Sequence, residues 1–160
     1  NKVFNCEIGK NGKIPPYQKK EGDKSTPLGV WGIGKILLRK DKNFNLKIKK
    51  SLLGRIIYIK KNFLWCDDPN SIFYNKLVKS NNTKILKFSH EKLYRQDGVY
   101  DIILEIEYNV KPIIKNKGSA IFIHLQKNNY QSTKGCIALK KKDLLHLLNI
   151  IKSRTKIRIY

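Results

Sequence analysis

Acidic residues are scarce in this chain. Its 160 residues carry 12 Asp and Glu against 34 Lys and Arg, a formal net charge of +22. Such a surface is drawn to polyanions, whether nucleic acid, anionic lipid or anionic cell-wall polymer. Arginine is scarce too, confined to positions 39, 55, 95, 154 and 158. A nucleic-acid module is expected to interleave arginines and aromatics on one face. Here lysines are scattered through every segment, so specific nucleic-acid binding is the weaker reading. Lys, Ile and Asn share A/T-rich codons, and part of the charge reflects composition.

Other absences narrow the chemistry. No apolar run approaches the roughly 20 residues that span a bilayer, and no signal peptide is visible. Methionine is absent from a chain that begins Asn1-Lys2-Val3, as expected of a processed form whose export signal or anchor has been removed. Cysteine occurs only at 6, 66 and 136. The odd count leaves a free thiol, and no pair has the close spacing of a zinc site. Gly32 and Gly34 lack the third glycine and the following helix of a dinucleotide loop. Asp67 and Asp68 are adjacent, and neighbours on a strand point apart, which disfavours a paired-carboxylate glycosidase. Neither a metal nor a cofactor is expected.

Hydrophobic residues make up 41% of the chain, enough for one domain over residues 1–160 with a real core. Alternation predicts a strand and turn in "KVFNCEIGKNG", a bulged strand in "VWGIGKILLRKD", and a hairpin in "GRIIYIKKNFLWCDDP" turning at Lys60–Asn62. The stretch "KIPPYQKKEGDKSTPLG" reads as a loop, and "SIFYNKLVK" as a short helix or irregular segment. "GVYDIILEIEYN" and "GSAIFIHL" are the strongest strands, the second fully buried. Leu144, Leu147, Leu148 and Ile151 share one helical face near the C-terminus, and "TKIRIY" closes as a strand. The fold class is mostly β, mixed α+β, a sandwich or partly open barrel with one clear helix.

One constellation carries chemistry. His124 ends the apolar strand "SAIFIH", and Cys136 follows twelve residues later in "STKGCIAL". A thiol has a free pKa of about 8.5 and needs a base or positive field to become a nucleophile. His124 is the natural base, and a strand end holds it rigidly. Gly135 permits close backbone approach, and the amides around Gly135 and Cys136 suit an oxyanion. Lys134 adds positive potential. The bland alternative is a buried cysteine at a strand start.

"IFIH" followed by "STKGCIAL" resembles the catalytic domain of the L,D-transpeptidases, the YkuD-like family. Its signature has a histidine at a strand end, a spacer, and Ser/Thr-x-Gly-Cys followed by an aliphatic residue. Here these are His124, Thr133, Lys134, Gly135, Cys136 and Ile137. Thr26-Pro27-Leu28-Gly29 resembles the family's Thr-Pro-x-Gly segment. "LWCDDPNSIFYNKLV", "SHEKLYRQDGVYDIILEIEYN" and "GSAIFIHL" resemble a branch common in Gram-negative bacteria, so the likeness covers roughly residues 4–151.

The resemblance implies a β-rich periplasmic enzyme acting on peptidoglycan stem peptides. Cys136 would be the nucleophile and His124 the base, with an oxyanion pocket near Gly135. An amine acceptor gives a cross-link, whereas water gives L,D-carboxypeptidase activity; a related amidase is the further alternative. Adhesion to the anionic wall and a monomeric state are expected with it, and carbapenems would acylate the same thiol. Two positions depart from the family pattern. Lys134 stands where many members have histidine, and Ala138 where many have an arginine suited to a carboxylate. The spacer is also shorter than usual. A different donor junction in the stem peptide is therefore expected, with Arg95 or Lys134 as the replacement cation. Thr133, Lys134, Arg95 and His90 are the candidate substrate-binding residues; for His90 and Arg95 a solvated turn remains the alternative. His146 flanks the helix's apolar face. Cys6 and Cys66 are expected to pack within strands or to form a disulfide.

Overall fold

The computed structural model describes residues 2–127 and 132–160. Its chain order is β1 (Lys13–Ile14), β2 (Thr26–Pro27), β3 (Gly29–Trp31), β4 (Ile33–Leu38), β5 (Ile56–Tyr58), β6 (Phe63–Cys66), β7 (Lys76–Lys79), β8 (His90–Lys92), β9 (Ile102–Ile106), β10 (Phe122–Leu125), β11 (Ile137–Leu139), α1 (Lys141–Ile150) and β12 (Ile157–Ile159). A five-stranded sheet in the order β11-β10-β9-β4-β5 forms the centre, and a three-stranded sheet, β7-β6-β8, lies beside it. The class is the mostly-β mixed one that the sequence predicts, and no closed barrel occurs among the described residues.

The layering follows from strand alternation. On one face of the central sheet, Ile36, Leu38, Ile102, Leu104, Ile123, Leu125, Ile137 and Leu139 form a core with Leu144, Leu147 and Leu148 of α1. The residues of opposite parity, Leu37, Ile103 and Phe122, point the other way and pack with Phe63, Trp65, Leu93 and Tyr100. The face of β6 turned away from the central sheet has its own cover, in which Leu64 and Cys66 pack with Ile85. Both faces of the central sheet are thus closed without a second large sheet.

The glycine bends of "VWGIGKILL" are real. The β4–β9 register shifts between Ile33 and Ile36, and a Cβ on Gly34 would fall 2.3 Å from the Glu105 carboxylate. Glu105 is 2% exposed; it accepts from the Lys35 amide at 2.8 Å and pairs with the Lys35 ammonium at 3.1 Å. The bulge therefore makes room for a buried charge.

Several expectations are corrected. The hairpin over residues 54–69 does not form: β5 pairs parallel with β4, and β6 leaves for the small sheet. All of Phe63–Cys66 is buried, and such a strand needs cover on both faces, which an edge position beside β5 would not supply. "KVFNCEIGKNG" makes only isolated bridges, Glu7 to Ala138 and Gly9 to Thr133, and its Cys6 is exposed rather than packed. All three cysteines are free, so Cys6 and Cys66 form no disulfide. In "SIFYNKLVK", Lys76–Lys79 is a strand after an irregular start.

Candidate active site

His124 lies on β10 and pairs in register with Ala138 on the parallel strand β11. Cys136, two residues before Ala138, packs with Phe122, two residues before His124. Imidazole and thiol therefore belong to the same face of the central sheet, the one covered by β6 and Tyr100. The spacer residues 128–131 lie outside the described residues.

The imidazole is buried, 7% exposed. Its Nδ1 sits 2.9 Å from the Leu125 carbonyl oxygen. A carbonyl only accepts, so Nδ1 carries the proton and Nε2 is the basic nitrogen. Burial pushes the His124 pKa down; the Leu125 hydrogen bond opposes this, and the Arg95 charge adds to it. The resting imidazole is therefore neutral.

The Cys136 Sγ donates to the Ala120 carbonyl at 3.0 Å. Burial pushes the thiol up to about 12, and the nearby Glu91 charge adds to the effect. The Phe122 backbone N–H and the Lys19 charge act in the opposite direction. The resting pair is a neutral thiol and a neutral imidazole. A carbonyl faces the S–H, and an N–H is placed to steady the thiolate once it forms.

The turn before Cys136 is braced from two sides. Thr133 Oγ1 accepts from the Gly135 amide at 3.1 Å and donates to the Cys136 carbonyl at 2.7 Å. Thr26 Oγ1 accepts from Gly9 N and donates to the Gly135 carbonyl, both at 2.9 Å. Gly135 has φ +131°, and a Cβ there would meet the Ser25 carbonyl at 3.0 Å. Glycine is required by both its dihedral and its neighbour. The Thr-Pro segment at Thr26 and the cysteine loop thus form one unit.

The other predicted residues are held by partners of their own or exposed. Lys134 is exposed on the turn. Arg95 is engaged with Asp97 and lies 5.1 Å from the Tyr100 ring centroid. His90 is on β8, its Nδ1 donating to the Phe88 carbonyl at 2.7 Å. His146 is exposed beside Phe4.

Sequence reasoning missed several neighbours of the pair. The Tyr100 ring meets His124 edge-on at 5.4 Å, and its hydroxyl donates to Glu91. Lys19 is 3% exposed and pairs with Asp23 at 2.7 Å. These groups come from loops and the small sheet, where no local pattern marks them.

A family model described as the L,D-transpeptidase catalytic domain, YkuD, matches residues 1–159. The chain belongs to that family. No curated protein and no solved structure matches it. As an L,D-transpeptidase-family domain it is a peptidoglycan-modifying enzyme, and no helix among its described residues is long and apolar enough to cross a membrane.

Proposed function

We propose that this domain is a peptidoglycan L,D-transpeptidase working through a thioester on Cys136. The observation that carries the reading is the tautomer of His124. Its Nδ1–H is spent on Leu125, which leaves a basic Nε2 on the sheet face that Cys136 shares. Substrate binding brings proton transfer from Sγ to Nε2. The thiolate attacks the carbonyl carbon of an L-centre–D-centre peptide bond, and the amide N–H groups of the Gly135–Cys136 turn steady the oxyanion. The C–N bond breaks as Nε2 returns its proton to the leaving amine. An amine from a second stem then attacks the thioester, forms the new amide and regenerates the thiol.

Ala138 offers no cation to the donor carboxylate, so the donor is held differently from the family pattern. Arg95, Lys134 and the buried Lys19 are the cations of this region, and a different L–D junction in the stem is the expected consequence. Both proposed catalytic side chains, His124 and Cys136, come from one chain, in keeping with a monomer. Action outside the cytoplasmic membrane follows from the substrate, and the +22 charge suits adhesion to an anionic wall.

Incubation with purified sacculi, followed by tandem mass spectrometry of the muropeptides, tests the reading. New L,D cross-links absent from a Cys136→Ala control support it, and the sequenced junction reports the donor site. Shortened stems without cross-links would instead favour the L,D-carboxypeptidase.

A further inference from the structure

The carbonyl that accepts the Cys136 S–H hydrogen bond belongs to a residue in an unfavourable conformation. Ala120 has φ +50°, the left-handed region that Cβ sterics disfavour for an L-residue. It is 7% exposed and lies two residues before the start of β10 at Phe122. Its amide N–H donates to Asn75 Oδ1 at 3.0 Å. The same oxygen accepts from Trp65 Nε1 at 3.0 Å, and Asn75 Nδ2 donates to the Asn109 carbonyl at 2.7 Å. Asn75 is itself 4% exposed. Its backbone N–H donates to the Cys66 carbonyl at 2.8 Å, so β6 fixes it from behind. On the other side of Ala120, the Ile121 carbonyl accepts from Ile106 N at 3.0 Å.

We infer that Asn75 is a positioning residue: it pins the Ala120 amide, holds Ala120 in the left-handed region, and so aims the Ala120 carbonyl at the Cys136 thiol. With the pin removed, Ala120 relaxes to negative φ and its carbonyl swings away from Sγ. Two consequences follow. The sulfur loses the contact that fixes its rotamer, so attack geometry is lost. The neutral thiol also loses an acceptor, so the thiolate becomes easier to form. Turnover and alkylation therefore move in opposite directions. The asparagine suits its own place as well, because at φ +54° its short polar side chain is among the best tolerated.

This lock matters for catalysis only if Cys136 is the nucleophile proposed above, and the test keeps the two apart. Cys136→Ala should abolish transpeptidation whatever Asn75 does. Asn75→Gly tolerates positive φ and removes only the side chain. It should lower kcat by about tenfold, the order of the left-handed penalty converted to rate, with donor KM nearly unchanged. At one fixed, mildly alkaline pH, iodoacetamide labelling of Cys136 should become faster while that of the fully buried Cys66 stays slow. Trp65→Phe removes the other donor to Asn75 and should leave Cys136 labelling as it is in the wild type. Wild-type kcat and labelling in a folded Asn75→Gly protein would overturn the lock while leaving the nucleophile assignment intact. If that variant does not fold, amide hydrogen exchange on the unmodified protein decides. Ala120 N–H should be protected, and exchange as fast as in the exposed 115–117 loop would overturn the proposal.

Discussion

His124 and Ala138 are register partners on the parallel strands β10 and β11. This pairing places the imidazole and, two residues before Ala138, the thiol on one sheet face. It also sets the Ala138 side chain beside the imidazole on that face. Ala138 is 2% exposed, and a methyl group there leaves the imidazole without a cation at close range from β11.

The neutral resting pair has a pH signature. Iodoacetamide labelling of Cys136 in the substrate-free enzyme should be slow at neutral pH. Its rate should still be rising above the ordinary thiol range of about 8.5, because burial holds the thiol at about 12. A plateau near neutral pH would mean a preformed thiolate–imidazolium pair.

The acid side is set by His124, whose pKa burial depresses. The acid limb of kcat/KM should therefore fall below the ordinary histidine value of about 6.5. Stability has the same sign. Below that value the unfolded chain binds a proton that the folded site refuses, so stability present above about 6.5 is lost as the pH falls toward the depressed value. Urea midpoints of wild type and His124→Gln across this range check it, and parallel curves would contradict it.

Two buried or half-buried charges should act on the thiol in opposite senses. The Glu91 charge raises the Cys136 pKa and the Lys19 charge lowers it. Glu91→Gln should thus speed alkylation at fixed pH, and Lys19→Gln should slow it. Shifts of the same sign in both variants would point to general loosening instead.

Arg39 supports the site from behind. Its side chain is 3% exposed, stacks 3.6 Å over the Tyr94 ring and donates to the Arg95 carbonyl at 2.7 Å. Its Nε and Nη2 donate to the two oxygens of the half-exposed Asp41 carboxylate at 2.7 and 2.6 Å, a two-point contact that the planar guanidinium fits. Arg39→Ala should cost about 2 kcal/mol, the order of a lost hydrogen bond to a charged group, read from urea unfolding. Arg39→Lys should recover only part, since a lysine lacks the planar fork. An unchanged midpoint would contradict the assignment.

The helix, the buried strand Phe122–Leu125 within "GSAIFIHL", and the shared sheet face of His124 and Cys136 were legible because each depends on local pattern: period 3.6, a continuous apolar run, and a short motif. The small sheet was not. Its strands β6 and β8 pair across 23 residues of intervening chain between Cys66 and His90, and "FLWC" reads alike in either sheet. Lys19, Asn75, Glu91 and Tyr100 were equally silent, because a buried lysine or asparagine announces itself only through the partners that tertiary structure brings to it. Thr133 was legible as part of the motif. Its hydroxyl is engaged with Gly135 and Cys136, a bracing contact that sequence does not distinguish from substrate binding.

The thioester itself is the most direct test of the account. Enzyme mixed with a purified disaccharide–tetrapeptide donor and quenched in acid should gain the mass of one acyl fragment, with loss of the terminal D-residue as a free amino acid if the bond before it is cut. Proteolysis and tandem mass spectrometry should place the adduct on the peptide containing Cys136. Cys136→Ala should gain no mass and form no product. Turnover by that variant while folded, or an adduct on Cys6 or Cys66, would contradict the account.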